Sequence, residues 1–448
     1  MIKQMDCFRN KFALCCFAGL CCWAGCSTPK ENRGDVSAEL QRRTGFNLPA
    51  PSDDRPGFPP SVTLEDGLSE DEVVTLALWK NAAFQELLAD LGLSWADVVQ
   101  AGMLPNPTLS MLLPIGAKPL ELTAKYPVEA IWLRPRRIAA AKLDYDRATQ
   151  RLVQSGLDLI RDARLACTDL TLARERLELA QTLRVLTEGL LTQTQARLRS
   201  GEASELEATS GKIEVSQARE QANRAAHDHL LALERVKSLA GLGMESRSVE
   251  LHSSPLEVSH VPELNLLLTN ALSARPDFYA AKLGLEAAGS RVGLARSEVY
   301  TLTAALNAKE VGNDFLTGPA LDVSIPIINQ NQGGVALAKA KLEKASRQYL
   351  ALRDRIMLEV REAHTRLAQA QESYESWQTQ ILPSLEEAVV LAERSVAAGN
   401  ETSRTVLENG RKLADARLKS ANAAAELRRA RAELERSVGQ RLPPNSPP

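Results

Sequence analysis

The chain has 448 residues, of which 25% are charged, 44% hydrophobic and only 4% aromatic, and its formal net charge is −2. This near-neutral charge, without a basic domain or stripe, excludes the usual kind of nucleic-acid-binding protein. Many Ala, Leu, Glu, Arg and Gln residues with few aromatics are typical of proteins built from long helices.

The first 26 residues have the organisation of a bacterial export signal. An apolar run over residues 12–25 is too short for a comfortable transmembrane helix, and it follows three basic residues, Lys3, Arg9 and Lys11. The run ends at Cys26 in a setting that resembles the lipoprotein cleavage box, although Trp23 stands where leucine is usual. We predict a signal peptide over residues 1–25 and a covalent lipid on Cys26. The alternative is that Cys26 is one more apolar residue of the signal.

The first structured elements are predicted after a proline-rich leader. Residues 26–62 are polar and rich in proline, so we expect an extended segment without a core. Ser69 and Glu72 form a capping box that begins a helix ending near Gly102. Two strand-length segments, divided by prolines and a glycine, follow within residues 108–133.

Residues 134–198 are predicted to form one long helix. Leucines recur at seven-residue spacing in two series, Leu165, Leu172, Leu179 and Leu186, then Leu170, Leu177, Leu191 and Leu198. The two series lie well apart around the helix, so it needs neighbours on two sides. The helix ends at Gly201, where glycine suits a left-handed cap. A capping box of Ser204 and Glu207 begins a second helix that reaches about Leu239.

The pattern of the first half then returns. A polar linker at residues 244–261 leads to a second repeat over residues 262–439, in which a helix precedes a strand pair over residues 300–328. A helical run over residues 335–397 is interrupted only at Pro383.

The second helical hairpin is predicted to turn at residues 397–403, around Gly399. Thr405 and Glu408 offer another capping box for a last helix that reaches about Val438. A proline-rich tail, residues 440–448, closes the chain.

An internal duplication explains this recurrence. Gly399 lies 198 positions after Gly201, and Pro326 lies 199 positions after Pro127. We therefore divide the structured part into a first repeat, residues 63–243 with its hairpin tip at 199–204, and the second repeat at 262–439.

The predicted fold is mainly α with a small β part, in which each repeat supplies two strands and a long coiled-coil helical hairpin. Four strands cannot close a barrel, and an open sheet edge is not tolerated in lipid. If the strands lie in a membrane, several chains must share one barrel.

Several short motifs follow one another in a fixed order over residues 62–440. They are Leu-Pro-Asn-Pro at 104–107, Ala-Arg-Pro-Asp at 274–277, Ile-Pro-Ile at 325–327, the turns at Gly201 and Gly399, and the closing run at 434–439. In this order and spacing they resemble the outer-membrane efflux protein family, the TolC-like channels of tripartite export systems.

This resemblance implies a homotrimer in which twelve strands form one transmembrane β-barrel and the helices form a periplasmic α-barrel. It implies passive conduction, with a periplasmic adaptor protein and an inner-membrane efflux pump as partners. The expected location is the outer membrane of a Gram-negative-type bacterium, with outer-membrane lipid around the strands, a lipid anchor and a large periplasmic part. No nucleic-acid partner is expected. The substrate stays open among heavy metals, drugs and secondary metabolites.

Two other classes remain possible from the sequence. A periplasmic adaptor lipoprotein also uses helical hairpins, but it has one hairpin flanked by compact β domains. A non-conducting coiled-coil envelope scaffold would not need duplicated strand pairs.

The resemblance also implies a pore constriction at the periplasmic tips. Counting from each tip glycine assigns the acidic constriction residues to Glu207 and Glu408, whereas Thr405 departs from the acidic pattern. Three chains would repeat each carboxylate around the axis, and such a ring favours cations. The alternative is that both glutamates serve only as capping-box residues.

The tips are also where family members dock their adaptor. Here the tip glycines are Gly201 and Gly399, and both have polar neighbours, in contrast to the apolar flanks of some relatives. We expect these two turns to bind the adaptor.

No catalytic residue, metal ligand or cofactor is predicted, apart from the lipid on Cys26. The chain beyond Cys26 has no nucleophile elbow, phosphate loop, Cys-x-x-Cys pair or zinc-helix motif. His227 and His229 are two residues apart and so diverge on a helix. Cys167 is expected to be a packed thiol.

Overall fold

The computed structural model describes residues 33–49, 58–59, 62–64, 66–115, 119–245, 250–252, 256, 261–312, 314–398 and 403–442. The signal peptide, Cys26 and Gly399 lie outside the described residues, as do parts of the proline-rich leader and most of the tail.

Two breaks in equivalent places divide the helices that precede the strands. The prediction of an extended leader without a core is wrong for residues 33–44, which form the helix α1 (Arg33–Thr44) with Val36 and Leu40 buried in the first core. The predicted first helix is in fact two, α2 (Glu70–Lys80) and α3 (Ala82–Gly102). Asn81 between them is extended, with ψ 116°, and its side chain caps α3 by accepting a hydrogen bond from the Phe84 amide. In the second repeat, Arg275 is likewise extended, with ψ 125°, between α6 (Leu264–Ala274) and α7 (Pro276–Ser297). Pro276 disfavours helical geometry at the residue before it, which explains this break.

Four antiparallel strands form one sheet in sequence order. They are β1 (Thr108–Leu112), β2 (Glu121–Pro127), β3 (Leu302–Val311) and β4 (Asp314–Val323). The two repeats therefore meet at the pairing of β2 with β3, and β1 and β4 are the edges. The tight β3–β4 connection includes Gly312 at φ 66°, a left-handed conformation that favours glycine.

The long helix α4 (Glu129–Arg199) has 71 residues, about 105 Å at the usual helical rise. It begins earlier than predicted, so the segment expected to continue as strand to residue 133 is helical from Glu129. Pro135 lies within the helix as its seventh residue, where it removes the hydrogen bond that an N–H would make to the Ile131 carbonyl.

The first hairpin turns as predicted. Ser200 caps α4, and Gly201 has φ 81°. The helix α5 (Glu205–Leu239) then begins at Ser204, and the capping box with Glu207 is confirmed.

The second hairpin is less regular. Its first arm consists of α8 (Gln332–Ser376), a π-helical turn (Trp377–Ile381) and α9 (Leu382–Ala397). The predicted interruption at Pro383 takes this form because proline cannot donate a bond to the preceding turn. The last helix, α10 (Ser403–Val438), begins before Thr405, so the predicted capping box at Thr405 is wrong. The Thr405 carbonyl instead accepts a hydrogen bond from Asn409 Nδ2, at 2.9 Å, within the helix.

Apolar side chains of both repeats are buried along these helices. One core lies between α1 to α5, and a second joins α6, α8 and α10. Helix α4 packs against α5, α7 and α10, which agrees with its need for several neighbours. Cys167 lies in the first core as a buried free thiol, and burial raises its pKa, so the expectation of a packed thiol is confirmed.

Candidate functional site

The strand register gives the sheet one apolar face. Cross-strand partners such as Ala124 and Leu306 point to the same side, and alternate residues of every strand join them. The members of this apolar face are Leu109, Met111, Leu122, Ala124, Tyr126, Leu302, Ala304, Leu306, Ala308, Glu310, Phe315, Thr317, Pro319, Leu321 and Val323. Several of them are large and more than half exposed in one chain, including Leu109 at 68% and Leu321 at 60%. A face of this kind fits lipid.

The opposite face, here called the polar face, carries hydroxyl, amide or charged side chains at ten of its seventeen positions. These are Thr108, Ser110, Glu121, Thr123, Lys125, Thr303, Asn307, Lys309, Asp314 and Asp322. Thirteen of the fifteen residues on the other face are apolar, Glu310 and Thr317 being the exceptions, so the polarity of the sheet is strongly one-sided. A polar face of this kind fits a water-filled lumen.

Both lysines of the polar face are paired with carboxylates across strands. Lys309 Nζ lies 2.7 Å from Glu121 Oε1, and Lys125 Nζ lies 3.8 Å from Asp322 Oδ2. With Asp314, the face carries three carboxylates and two ammonium groups, a net charge of −1 for each chain. The sequence analysis missed these pairs, although the two-residue alternation of polar side chains could have indicated the face.

The first hairpin tip is compact and exposed. Glu207 is exposed, and its carboxylate accepts a hydrogen bond of 3.3 Å from the Ser204 amide while its own amide donates to Ser204 Oγ at 3.2 Å. Gly201 has no atom within 4 Å of the position a Cβ would take. The structure thus places Glu207 in its capping role and leaves the space around Gly201 open.

Glu408 is exposed in α10, within one turn of a contact between the hairpins. It is the sixth residue of its helix, so it does not hold the capping-box position that Glu207 holds. Arg411 Nη2 lies 3.0 Å from Glu214 Oε2 on α5, and Gly410 faces Leu186 on α4. These contacts bring the tip-proximal part of the two hairpins together, whereas Gly399 lies outside the described residues.

Two motifs singled out from the sequence meet in the structure. Arg275 is buried, at 2% exposure, and donates two hydrogen bonds to Asp277 and one of 2.7 Å to Glu359. It also donates to the Ser437 carbonyl at 3.2 Å, beside the left-handed turn at Gly439. The Ala-Arg-Pro-Asp motif and the closing motif therefore form one structural contact.

Metal ligands do not cluster among the described residues: no group of three or more His, Cys, Asp or Glu side chains could hold a metal ion there. His364 contacts the Pro262 carbonyl, at 3.1 Å.

Of the helices in the described ranges, none has the length and apolar character to cross a membrane.

A sheet with one apolar face, one polar face and two open edges, continued by long helical hairpins, defines a subunit of a channel-forming fold. The comparisons with known proteins agree. Residues 267–440 match the outer membrane efflux protein family. The cobalt-zinc-cadmium resistance protein CzcC of Cupriavidus metallidurans is 24% identical over 386 residues, covering 85% of this chain and 90% of that protein.

Solved structures share the fold. The Campylobacter jejuni CmeC outer membrane channel superposes with a TM-score of 0.72 at 15% identity, covering 89% of this chain and 94% of CmeC. The open-state Neisseria gonorrhoeae MtrE outer membrane channel gives 0.67 at 17% identity, covering 87% of this chain and 97% of MtrE.

The match over residues 267–440 and the likeness to CzcC support membership of the outer membrane efflux protein family, whose members are channel proteins of the outer membrane. The fold is that of the TolC-like α-barrel channels, with the internal duplication the sequence predicts.

Proposed function

We propose that this protein is the outer-membrane channel of a tripartite efflux system and that three copies close one pore. The observation that carries this proposal is the two-faced sheet with open edges at β1 and β4. Unpaired edges are costly in lipid, so β1 of one copy pairs with β4 of the next until a ring closes. Three copies give twelve strands, with the apolar face toward lipid and the polar face toward water.

The proposed cargo is divalent metal cations. The relative CzcC is named for cobalt, zinc and cadmium resistance. The net charge of −1 on the polar face, repeated in three copies, favours cations over anions. Glu207 and Glu408 add exposed carboxylates near the hairpin tips, where they form the proposed periplasmic constriction.

The proposed partners are a periplasmic adaptor, docked at Gly201 and Gly399, and an inner-membrane pump that supplies the energy. A lipid on Cys26 would anchor the chain to the inner leaflet. The open space around Gly201 supports close approach of a partner backbone at that turn.

Cysteine scanning of β3 tests the proposal directly. Single cysteines at residues 302–311 should alternate, with even positions reached only by a membrane-soluble maleimide and odd positions by a water-soluble one. The wild-type chain serves as the control, since Cys167 is buried. Uniform water exposure along β3 would contradict the channel and favour a non-conducting scaffold.

The cargo is tested separately in a strain lacking its own metal efflux channel. Expression with a matching adaptor and pump should restore growth on cobalt, zinc or cadmium. Rescue against organic drugs but against none of these metals would overturn the cargo and leave the channel standing.

A further inference from the structure

A groove lies beside the first turns of α4, next to the end of β2. Its volume is about 440 Å³, and its lining includes Leu104, Ile131, Arg134, Ile138 and Lys142. The four α4 residues follow one another at spacings of three, four and four, so they share one face of the helix. Leu104, from the connection between α3 and β1, closes the other side. Apolar side chains thus line the groove, and two basic side chains lie along it.

The charged residues that line this groove have one sign. The lining contains Arg134 and Lys142 and no acidic residue. Arg134 Nε donates a hydrogen bond of 2.7 Å to the Gly102 carbonyl, which fixes the guanidinium at the groove while using one of its five N–H donors. The groove is therefore complementary to an anion.

The depth of the groove matches the membrane surface. Tyr126 lies on the apolar face one residue before β2 ends, and α4 begins at Glu129. At 1.5 Å per residue, Arg134 lies about 8 Å along α4 from its start and Lys142 about 20 Å. Helical side chains lean toward the N-terminus, which here is the strand end, so the lysine ammonium reaches about 6 Å back toward the membrane. The lipid headgroup layer is about 5–8 Å thick on each side, so Arg134 lies near its phosphates.

We propose that this groove binds an anionic phospholipid of the inner leaflet, of the phosphatidylglycerol class. Its phosphate lies at Arg134, within reach of the Lys142 ammonium, and an acyl chain that runs toward the strands covers Leu104 and Ile131. Ile131 is 51% exposed and Leu104 is 42% exposed, and a water-soluble anion would leave them uncovered. This site rests on the proposed function, because it requires the strands to lie in the outer membrane.

The test is the lipid that co-purifies with the full chain. The protein is extracted in mild detergent from outer membranes containing phosphatidylglycerol and phosphatidylethanolamine, and both lipids are quantified by mass spectrometry. The Arg134→Gln, Lys142→Gln variant should lower the retained ratio of phosphatidylglycerol to phosphatidylethanolamine, by about fivefold for each basic residue removed. The charge-matched control is Arg136→Gln, Arg151→Gln, which changes two exposed arginines of α4 outside the groove and should keep the ratio.

Three results would overturn the site. They are an unchanged ratio in the groove variant, an equal fall in both variants, and loss of the trimer in the groove variant alone, which would show that a second copy covers the groove. In each of these results the wild type still fractionates with the outer membrane and conducts. Failure of the wild type to do so would instead refute the proposed function.

Discussion

The buried Arg275 and the partly buried Glu359 form an ion pair that joins the break between α6 and α7 to the middle of α8, with 2.7 Å between Nη1 and Oε2. Glu359 Oε2 also accepts a hydrogen bond of 2.9 Å from Arg436, whose Nε donates to Asp158 on α4. One carboxylate therefore connects the second repeat to its own last helix and, through Arg436, to the first repeat.

Replacing Arg275 should be strongly destabilising. Arg275→Ala leaves Asp277 and Glu359 without their buried partner, a change that costs about 3–5 kcal/mol. A thermal melt followed by circular dichroism in detergent should show a clear fall in the midpoint. The matched control, Arg353→Ala on α8, removes an exposed arginine paired with Asp354 and should change stability by only about 0.5 kcal/mol. Equal midpoints for the two variants would contradict the role of this ion pair.

The Glu359 network should also make stability depend on pH. Burial by itself raises the pKa of the Glu359 carboxyl, but the hydrogen bond and charge of Arg275, with the charges of Arg436 and Arg355, lower it below the usual 4.5. Because the folded pKa lies below the unfolded one, this stabilisation is complete above pH 4.5 and is lost as pH falls through the folded pKa.

The measurement compares melting midpoints of the wild type and Glu359→Gln. Their difference should be constant from pH 7 to about pH 5 and should shrink below about pH 4.5. A difference that stays constant down to pH 3 would show that Glu359 does not titrate through this network.

The ion pairs of the polar face should tune the selectivity of the pore. Lys309→Gln leaves Glu121 unpaired and changes the face from −1 to −2 for each copy, whereas Glu121→Gln brings it to zero. One charge about 15 Å from the pore axis contributes about 0.3 kcal/mol in water. Three copies therefore favour one ion by about fourfold and disfavour the other as much, which changes the cation-to-anion permeability ratio by at most about sixteenfold.

Reversal potentials in a salt gradient near 10 mM would measure this change, because screening is weak there. The two variants should shift the potential in opposite directions, and the double variant should restore the wild-type value. Shifts of the same sign would place these side chains outside the conducting lumen.

The hairpin tips should tolerate substitution structurally but not functionally. Gly201 has room for a side chain but a left-handed backbone, so Gly201→Glu costs only about 1–2 kcal/mol locally. With Gly399→Glu in the same chain, we expect loss of metal export and an intact trimer on a native gel. Gly189→Glu, an exposed site within α4 that also has open space, is the control. Normal export with both tip glycines replaced would count against docking at the tips.

Features with a local cause could be predicted from the sequence. The capping boxes at Ser69 and Ser204 and the left-handed turn at Gly201 depend on residues within one turn of each other, and all three are present. The amphipathic strands and the duplication follow from periodicity, which can also be read directly from the sequence.

Features that depend on distant residues could not be predicted. The break at Asn81 is held in part by a bond of 3.1 Å from its side chain to the Leu239 carbonyl, on the far side of the first hairpin. The pairing of Lys309 with Glu121 requires the register between β2 and β3, which more than 170 intervening residues leave undetermined. Arg275 was noticed only as part of a motif, because its partner Glu359 is 84 positions away.

The order of the strands also has a kinetic consequence. If three copies close one barrel as proposed, a single copy cannot complete it, since β1 and β4 each keep one unpaired edge in the described sheet. Insertion and association must then be one event, and its rate should rise steeply with the concentration of unassembled chains at the membrane. The abundance of the pore would thus respond to expression more sharply than in proportion to it.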